Sequence, residues 1–156
     1  MYDVLSVADA ILRIAKEKGK QLTPMQLVKL TYIAHGWSLA LRGRDLFRNR
    51  IEAWKYGPVI PDLYQATKQY GRNPMPLELI GGADDFPVNA DDKQFLEEIF
   101  EAYGNLDGIK LSYLTHQAGT PWTEAYVPGL NAEITDERIT EHYRSLLSER
   151  TRVSAN

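Results

Sequence analysis

The stretch "TPMQLVKLTYIAHGWSLALRG", residues 23–43, decides the fold of this chain. Thr23 is placed to cap a helix that begins at Pro24, and Gln26 stands at the second position of a capping box. Apolar residues then cover nearly every side of the helix until Gly43, which is typical of a helix at the centre of a core. Gly36 lies inside it and costs about 1 kcal/mol relative to alanine. We expect the close approach of another helix to compensate for that cost.

Helical patterns continue on both sides of this central segment. The predicted helices cover residues 4–18, 23–42, 58–70, 89–103, 108–117, 121–126 and 135–148. Gly57 and Pro58 are interpreted as the cap and first residue of the third helix. The alternating stretch "RDLFRNRIEAW" predicts a short strand, with "LELI" at residues 77–80 as its partner. The sequence therefore predicts a mainly α, single compact domain of six to seven helices with a small two-stranded β element. It spans residues 1–150, and residues 151–156 are expected to form a frayed tail.

Composition limits the class of protein. The chain has 156 residues, of which 44% are apolar and 25% charged, as in an ordinary globular domain. It has no cysteine, which excludes disulfides and thiolate metal sites. The N-terminus lacks the pattern of a signal peptide, and no apolar run approaches the length of a membrane span, so we expect a cytoplasmic protein. The net charge of −3 disfavours a general attraction to nucleic acid.

Motifs for catalysis are missing from the sequence. His35, His116 and His142 lie on different predicted helices without carboxylates at ligand spacing, and there is no nucleophile elbow or phosphate-binding glycine loop. The acidic pairs stand mostly at helix starts, where they complement the helix dipole. We therefore predict no catalytic residues, no metal and no cofactor. An enzyme built on His35 or His116 stays open as an alternative, and it would need a perturbed carboxylate beside the imidazole.

Four arginines cluster within nine positions, at Arg42, Arg44, Arg48 and Arg50. One interpretation is a solvated strand edge that discourages aggregation. The other is a patch that binds an acidic partner or a phosphate backbone, because the guanidinium fork binds carboxylates at two points.

An aromatic corner follows the arginines, where Trp54 and Tyr56 flank Lys55 ahead of Gly57 and Pro58. It fits either a buried turn or an exposed rim, since Trp and Tyr are enriched at the energetic centres of interfaces. Both interpretations hold together if one ring packs inward and the other faces out.

Three blocks of the sequence carry a family resemblance. "LVKLTYIAHGWSLALRGRDLF", "IEAWKYGPVIPDLY" and "LTHQAGTPWTEAY" resemble, in this order, the Panacea antitoxin domain, a family that includes SocA-like antitoxins and phage-associated GepA-like proteins. The matching positions, some of them expected to be structural, are His35, Gly36, Trp37, Trp54, Tyr56, Gly57, Pro58, Thr115, His116, Pro121 and Trp122.

The resemblance implies a mainly helical, non-enzymatic antitoxin that binds a cognate toxin encoded nearby. One branch of the family delivers its toxin to the ClpXP protease, and this mode is left open. So is a homo-oligomer. We expect no separate DNA-binding domain ahead of the match, so a nucleic-acid-binding regulator is the less expected alternative. The residues that we predict to contact the toxin are Arg44, Arg48, Arg50, Trp54, Lys55 and Tyr56.

Overall fold

The structure is a computed structural model that describes residues 1–76 and 87–155, with side chains as far as residue 150. This part of the chain contains seven α-helices and one two-stranded antiparallel hairpin. The helices are α1 (Val4–Glu17), α2 (Pro24–Arg42), α3 (Pro61–Thr67), α4 (Ala90–Tyr103), α5 (Gly108–His116), α6 (Pro121–Ala125) and α7 (Asp136–Ala155). The strands are β1 (Glu52–Trp54) and β2 (Gly57–Val59), and a 3₁₀ turn covers Lys68–Tyr70. The predicted mainly α fold with a small two-stranded element is confirmed.

Helix α2 is the centre of the domain, and it packs against α1, α4, α5 and α7. The capping box forms as predicted, because the N–H of Gln26 donates to Thr23 Oγ1 and the N–H of Thr23 donates to Gln26 Oε1. Gly43 ends the helix in a left-handed conformation with φ 67°. Local signals at both ends therefore set the length of the central helix.

Gly36 lets α7 approach the middle of α2. A Cβ atom at this position would lie 2.3 Å from the ring of Tyr143 on α7. That is far inside van der Waals contact with a buried ring. The predicted close approach of another helix is confirmed, and it explains a glycine in the interior of the central helix.

The hairpin corrects one prediction. Gly57 and Pro58 belong to strand β2, opposite Trp54 and Ala53, and the third helix begins only at Pro61. Gly57 has φ 120° and Pro58 pairs with Ala53 as a strand residue, so neither residue is in a helical conformation. The predicted strand at residues 77–80 lies outside the described residues.

The free edge of β1 is covered by the segment before α7. Ala53 N–H donates to the carbonyl of Ala132, and Ile134 N–H donates to the carbonyl of Ile51, both at 2.8 Å. The hairpin is therefore fixed between this segment on one side and α2 and α5 on the other.

Helix α7 continues to Ala155, beyond its predicted end near Ser148. No glycine or proline occurs in residues 136–155, so no residue of the local sequence interrupts it. The fraying of residues 151–156 stays a prediction. None of the described helices combines the length and the apolar character needed to cross a membrane.

Candidate binding groove and its surroundings

A groove of about 470 Å³ lies between α2, the hairpin and α3. Its walls are mostly apolar and aromatic, and three lysines are placed among them. The lining residues are Pro24, Met25, Val28, Lys29, Trp54, Lys55, Tyr56, Val59, Tyr64, Thr67, Lys68 and Gly71. Three of the six predicted contact residues, Trp54, Lys55 and Tyr56, are thus part of one concave surface.

The two aromatic residues of the corner play different roles. Trp54 is half-buried, its indole N–H donates to Glu52 Oε1 at 2.9 Å, and its ring meets the edge of Tyr64 with centroids 5.0 Å apart. Tyr56 is 67% exposed. One ring therefore supports the hairpin while its neighbour faces solvent, so both interpretations of the corner apply.

Lys29 is the buried charge of the groove. Its side chain comes from the central helix, is 3% exposed, and donates to the carbonyl of Pro58 at 2.8 Å and to that of Tyr56 at 3.4 Å. Burial lowers the pKa of Lys29 to about 7, because the charged form loses its hydration. Lys29 is absent from the residues predicted to contact the toxin, although a lysine within a helix that is apolar on all sides is itself a signal.

Helix α5 lies next to the groove and carries exposed apolar side chains. Ile109 is 80% and Tyr113 is 62% exposed. The helix contacts groove residues at two points, since Gly108 approaches Met25 and the hydroxyl of Ser112 donates to the carbonyl of Tyr56 at 2.8 Å.

The three arginines among the predicted contact residues all have carboxylate partners within the chain. Arg48 lies 3.5 Å from Asp3, and Arg50 lies 2.8 Å from Glu52 and 3.4 Å from Glu133. Glu52 also accepts the Trp54 indole N–H, so Arg50 is tied to the edge of the aromatic corner. Arg44 borders a separate cavity with Tyr2 and Asn89. The six predicted residues therefore do not form a single surface.

Asp92, in the first turn of α4, is the partner of Arg44. It is 2% exposed and also accepts from Arg42 Nη1 and from the hydroxyl of Tyr2, both at 2.7 Å. Burial by itself raises the pKa of this carboxyl, but the hydrogen bonds from Tyr2 and Arg42 and the two guanidinium charges hold the pKa below its usual value. The structural role expected for acids at helix starts is confirmed here.

His35 is a buried, hydrogen-bonded histidine on the central helix. Its Nε2 lies 3.0 Å from Asp136 and 3.7 Å from Asp45, and its ring lies against Phe47. Sequence spacing did not reveal these carboxylates, since Asp136 is 101 positions away. The hydrogen bond with Asp136 raises the pKa of Asp45 to about 6, while the hydrogen bond with His35 lowers the pKa of Asp136.

The same three residues resemble a metal site by distance, because their ligand atoms lie within 4.8 Å of one another. The tautomer of His35 argues against a metal ion. The backbone N–H of Leu46 donates to Nδ1 at 3.3 Å, so the ring proton is on Nε2. This Nε2–H donates a hydrogen bond to the carboxylate of Asp136. A cation on Nε2 would move that proton to Nδ1, where it would face another N–H. The cluster therefore fits a proton-sharing network that ties α2 to the start of α7.

The remaining family-motif positions support the hairpin and the core. His116 bonds through Nδ1 to Ser112 and meets the ring of Trp122, whose indole N–H donates to the carbonyl of Trp54 at 2.5 Å. Trp37 donates to the hydroxyl of Tyr103 at 2.9 Å. Thr115 and Pro121 are buried.

A helical domain with an apolar groove and exposed aromatic rings has the form of a partner-binding module. Residues 27–123 match the model of the family described as antitoxin SocA-like, Panacea domain, and since this is more than half of the chain, the chain belongs to that family. It is also 28% identical over 155 residues to the antitoxin SocA of Caulobacter vibrioides (strain NA1000 / CB15N), a match that covers 91% of this chain and 82% of that protein. No solved structure matches it significantly. The resemblance noted in the sequence is confirmed.

Proposed function

We propose that this protein is the antitoxin of a toxin–antitoxin pair and neutralises a cognate toxin, encoded nearby, by binding it directly. It does so without catalysing a reaction. The observation that carries this proposal is the family match over residues 27–123, a range that contains the hairpin, α3 and most of the groove wall.

The contact surface that we propose is centred on Trp54, Lys55 and Tyr56. These residues combine a rigid hairpin with an exposed ring, and aromatic anchors of this kind carry most of the binding energy in many interfaces. Arg50 is attached to this surface through Glu52, whereas Arg44 and Arg48 are paired with Asp92 and Asp3 and do not line the groove. We therefore expect them to contribute less than the hairpin.

The chemistry of the histidines gives no support to an enzyme in the part of the chain that is described. His35 is 2% exposed, so a substrate would not reach its ring without a rearrangement of the core. His116 is engaged by Ser112 and Trp122, and no described carboxylate lies within ion-pair distance of it.

Co-expression with the neighbouring gene tests the proposal. We expect the neighbour alone to stop growth, the pair to grow normally, and the tagged antitoxin to retain the neighbour during purification. Substitution of both Trp54 and Tyr56 by alanine should abolish rescue, while Tyr70→Ala, outside the groove lining, serves as the control. A neighbour that is harmless, or that forms no complex, would contradict the proposal.

The same experiment in a strain without the ClpXP protease separates direct neutralisation from delivery for degradation. Direct binding predicts that rescue persists without the protease. Loss of rescue there, with the complex still formed, would show that the antitoxin acts as a proteolytic adaptor.

A further inference from the structure

The groove carries an uncompensated positive charge in an acidic protein. The chain has a net charge of −3, yet the described lining of the groove contains Lys29, Lys55 and Lys68 and no aspartate or glutamate. Within residues 1–76 and 87–150, none of these lysines lies within ion-pair distance of a carboxylate. Arg44, Arg48 and Arg50 differ in this respect, because each lies beside a carboxylate.

Lys29 has hydrogen-bonding capacity that the described residues do not use. An ammonium group has three N–H donors. The carbonyl of Pro58 accepts one at 2.8 Å, and the carbonyl of Tyr56, which also accepts from Ser112, lies at a longer 3.4 Å. The remaining N–H has no acceptor in the described part of the chain, and the side chain borders the groove.

The backbone around Lys29 is shaped to hold the ammonium in place. A Cβ atom at Gly57 would lie 2.8 Å from Lys29 Nζ, so a larger residue would displace the ammonium from the strand. Gly57 also has φ 120°, a conformation that other residues rarely adopt. The strand therefore approaches the lysine closely only because this position is glycine.

A buried charge without a counter-ion costs free energy, and a ligand that supplies the counter-ion recovers part of it. The walls beside Lys29 are apolar, with Met25, Val28 and Tyr64 lining the groove. The complement of this surface is an apolar chain segment with a carboxylate placed to reach the ammonium, and with further negative charge facing the exposed rim.

We propose that the groove binds an apolar segment of the toxin that carries a carboxylate, and that this carboxylate accepts a hydrogen bond from Lys29. Lys55 and Lys68 attract the segment at the rim. This inference rests on the proposed function, because it takes the toxin as the occupant.

The groups that face Lys29 make the binding sensitive to pH in a defined direction. They are Lys55 and Tyr56 from the hairpin, Tyr64 and Lys68 from α3 and the turn after it, and His116 from α5. None of these described groups is a carboxylic acid, and the proposal assigns the carboxylate to the partner. Affinity should fall as pH rises above 7, because the unbound lysine loses the proton that the carboxylate needs.

The experiment is an NMR titration of the full-length protein labelled with ¹³C at lysine Cε, alone and in complex with the product of the neighbouring gene. Lys29→Met identifies the Lys29 signal by its absence. We expect the midpoint of the Lys29 titration to rise by at least one pH unit in the complex, a tenfold change in proton affinity. We also expect Lys29→Met to bind at least tenfold more weakly at pH 6.5 and to lose the pH dependence.

Each outcome decides the inference. A complex in which the Lys29 midpoint is unchanged would overturn it and leave the proposed function intact. No complex with the wild-type protein would overturn the proposed function and the inference with it. If the midpoint of the Lys29 titration rises with the concentration of the antitoxin alone, the groove binds a second copy of this chain. That result would overturn the inference that a toxin segment occupies the groove.

If Lys29→Met does not fold, Lys68→Glu replaces it, because Lys68 is exposed. Loss of affinity in this variant, with an unchanged melting temperature, supports the inference. Unchanged affinity overturns it.

Discussion

Two cationic regions lie near the hairpin, and the fold treats them in opposite ways. In the first, which we call the arginine side, Arg44, Arg48 and Arg50 each lie beside a carboxylate of the same chain. In the second, the lysine side, Lys29, Lys55 and Lys68 share an apolar groove whose described lining contains no carboxylate. The sequence makes the arginines conspicuous, because they cluster within seven positions, and it scatters the lysines over forty.

The difference teaches that density of charge in a sequence does not measure its availability to a partner. A paired arginine must leave its own carboxylate before it binds another, and the exchange yields little net free energy. A lysine of the apolar groove has no such competitor among the described residues. The arginine side is therefore expected to stabilise the fold, and the lysine side to serve binding at some cost to stability.

The largest effect is expected at the buried end of the arginine side. Asp92→Ala should destabilise the protein by about 3 kcal/mol, because it leaves Arg42, Arg44 and the Tyr2 hydroxyl without their common acceptor. Urea denaturation measures the change, and Asp91→Ala, an exposed acid in the same helical turn, is the control. If the two variants are equally stable, the ion pairs of the arginine side do not stabilise the fold.

On the lysine side, the buried charge is expected to reduce stability rather than to increase it. Since burial lowers the pKa of Lys29 from 10.5 to about 7, the unfolded chain binds one more proton than the folded protein between these values. Wild-type stability should therefore rise with pH above 7. Lys29→Met lacks this titrating group. Its free energy of unfolding, measured relative to that of the wild type, should therefore fall by about 2 kcal/mol between pH 7 and pH 9.

Chemical denaturation at a series of pH values tests this, with the exposed Lys55→Met as the control that keeps the wild-type pH profile. A parallel pH profile for Lys29→Met and the wild type would show that Lys29 is not the group responsible.

The cluster of His35, Asp45 and Asp136 gives a pH dependence of stability opposite in direction to that of Lys29. Asp45 has a raised pKa of about 6, so its proton stabilises the folded state at low pH, and this stabilisation is lost as pH rises through 6. Asp45→Asn keeps a donor for Asp136 at every pH. It should be more stable than the wild type by about 1 kcal/mol at pH 7 and equal to it near pH 4. Thermal melting across this range measures it, and a less stable variant at pH 7 would contradict the shared proton.

The smallest effect is expected at the exposed arginines. Arg50→Ala should cost about 0.5 kcal/mol or less, because its side chain is 52% exposed and its ion pairs are hydrated. Denaturation at low and high salt checks this, and the difference from wild type should vanish in concentrated salt. A loss that persists at high salt would mean that Arg50 contributes through packing.

Local signals made most of the helices predictable. Thr23 and Gln26 form the capping box, Asn89 caps α4, and Gly43 ends α2, all within a few residues of the element that each controls. The start of α3 was predicted incorrectly, because Gly57 and Pro58 also fit a helix start. In the structure both residues pair with β1, and the carbonyl of Pro58 accepts from Lys29, more than twenty positions earlier in the chain.

The site was predictable only in part, because it also depends on contacts between residues that are far apart in the sequence. Trp54 and Tyr56 are close in sequence and stand out by residue type. The carboxylates that pair with the arginines, and the absence of any beside Lys29, depend on how distant segments pack. Pairing across such distances leaves no periodic pattern in a single sequence.

The most direct test of the account compares two matched double variants in their affinity for the toxin. The two variants, Lys55→Gln with Lys68→Gln and Arg48→Gln with Arg50→Gln, remove the same number of exposed charges from the lysine side and from the arginine side. The account predicts that the lysine variant binds at least about tenfold more weakly, while the arginine variant stays within about twofold of the wild type. The reverse order would contradict it and place the contact on the arginine side.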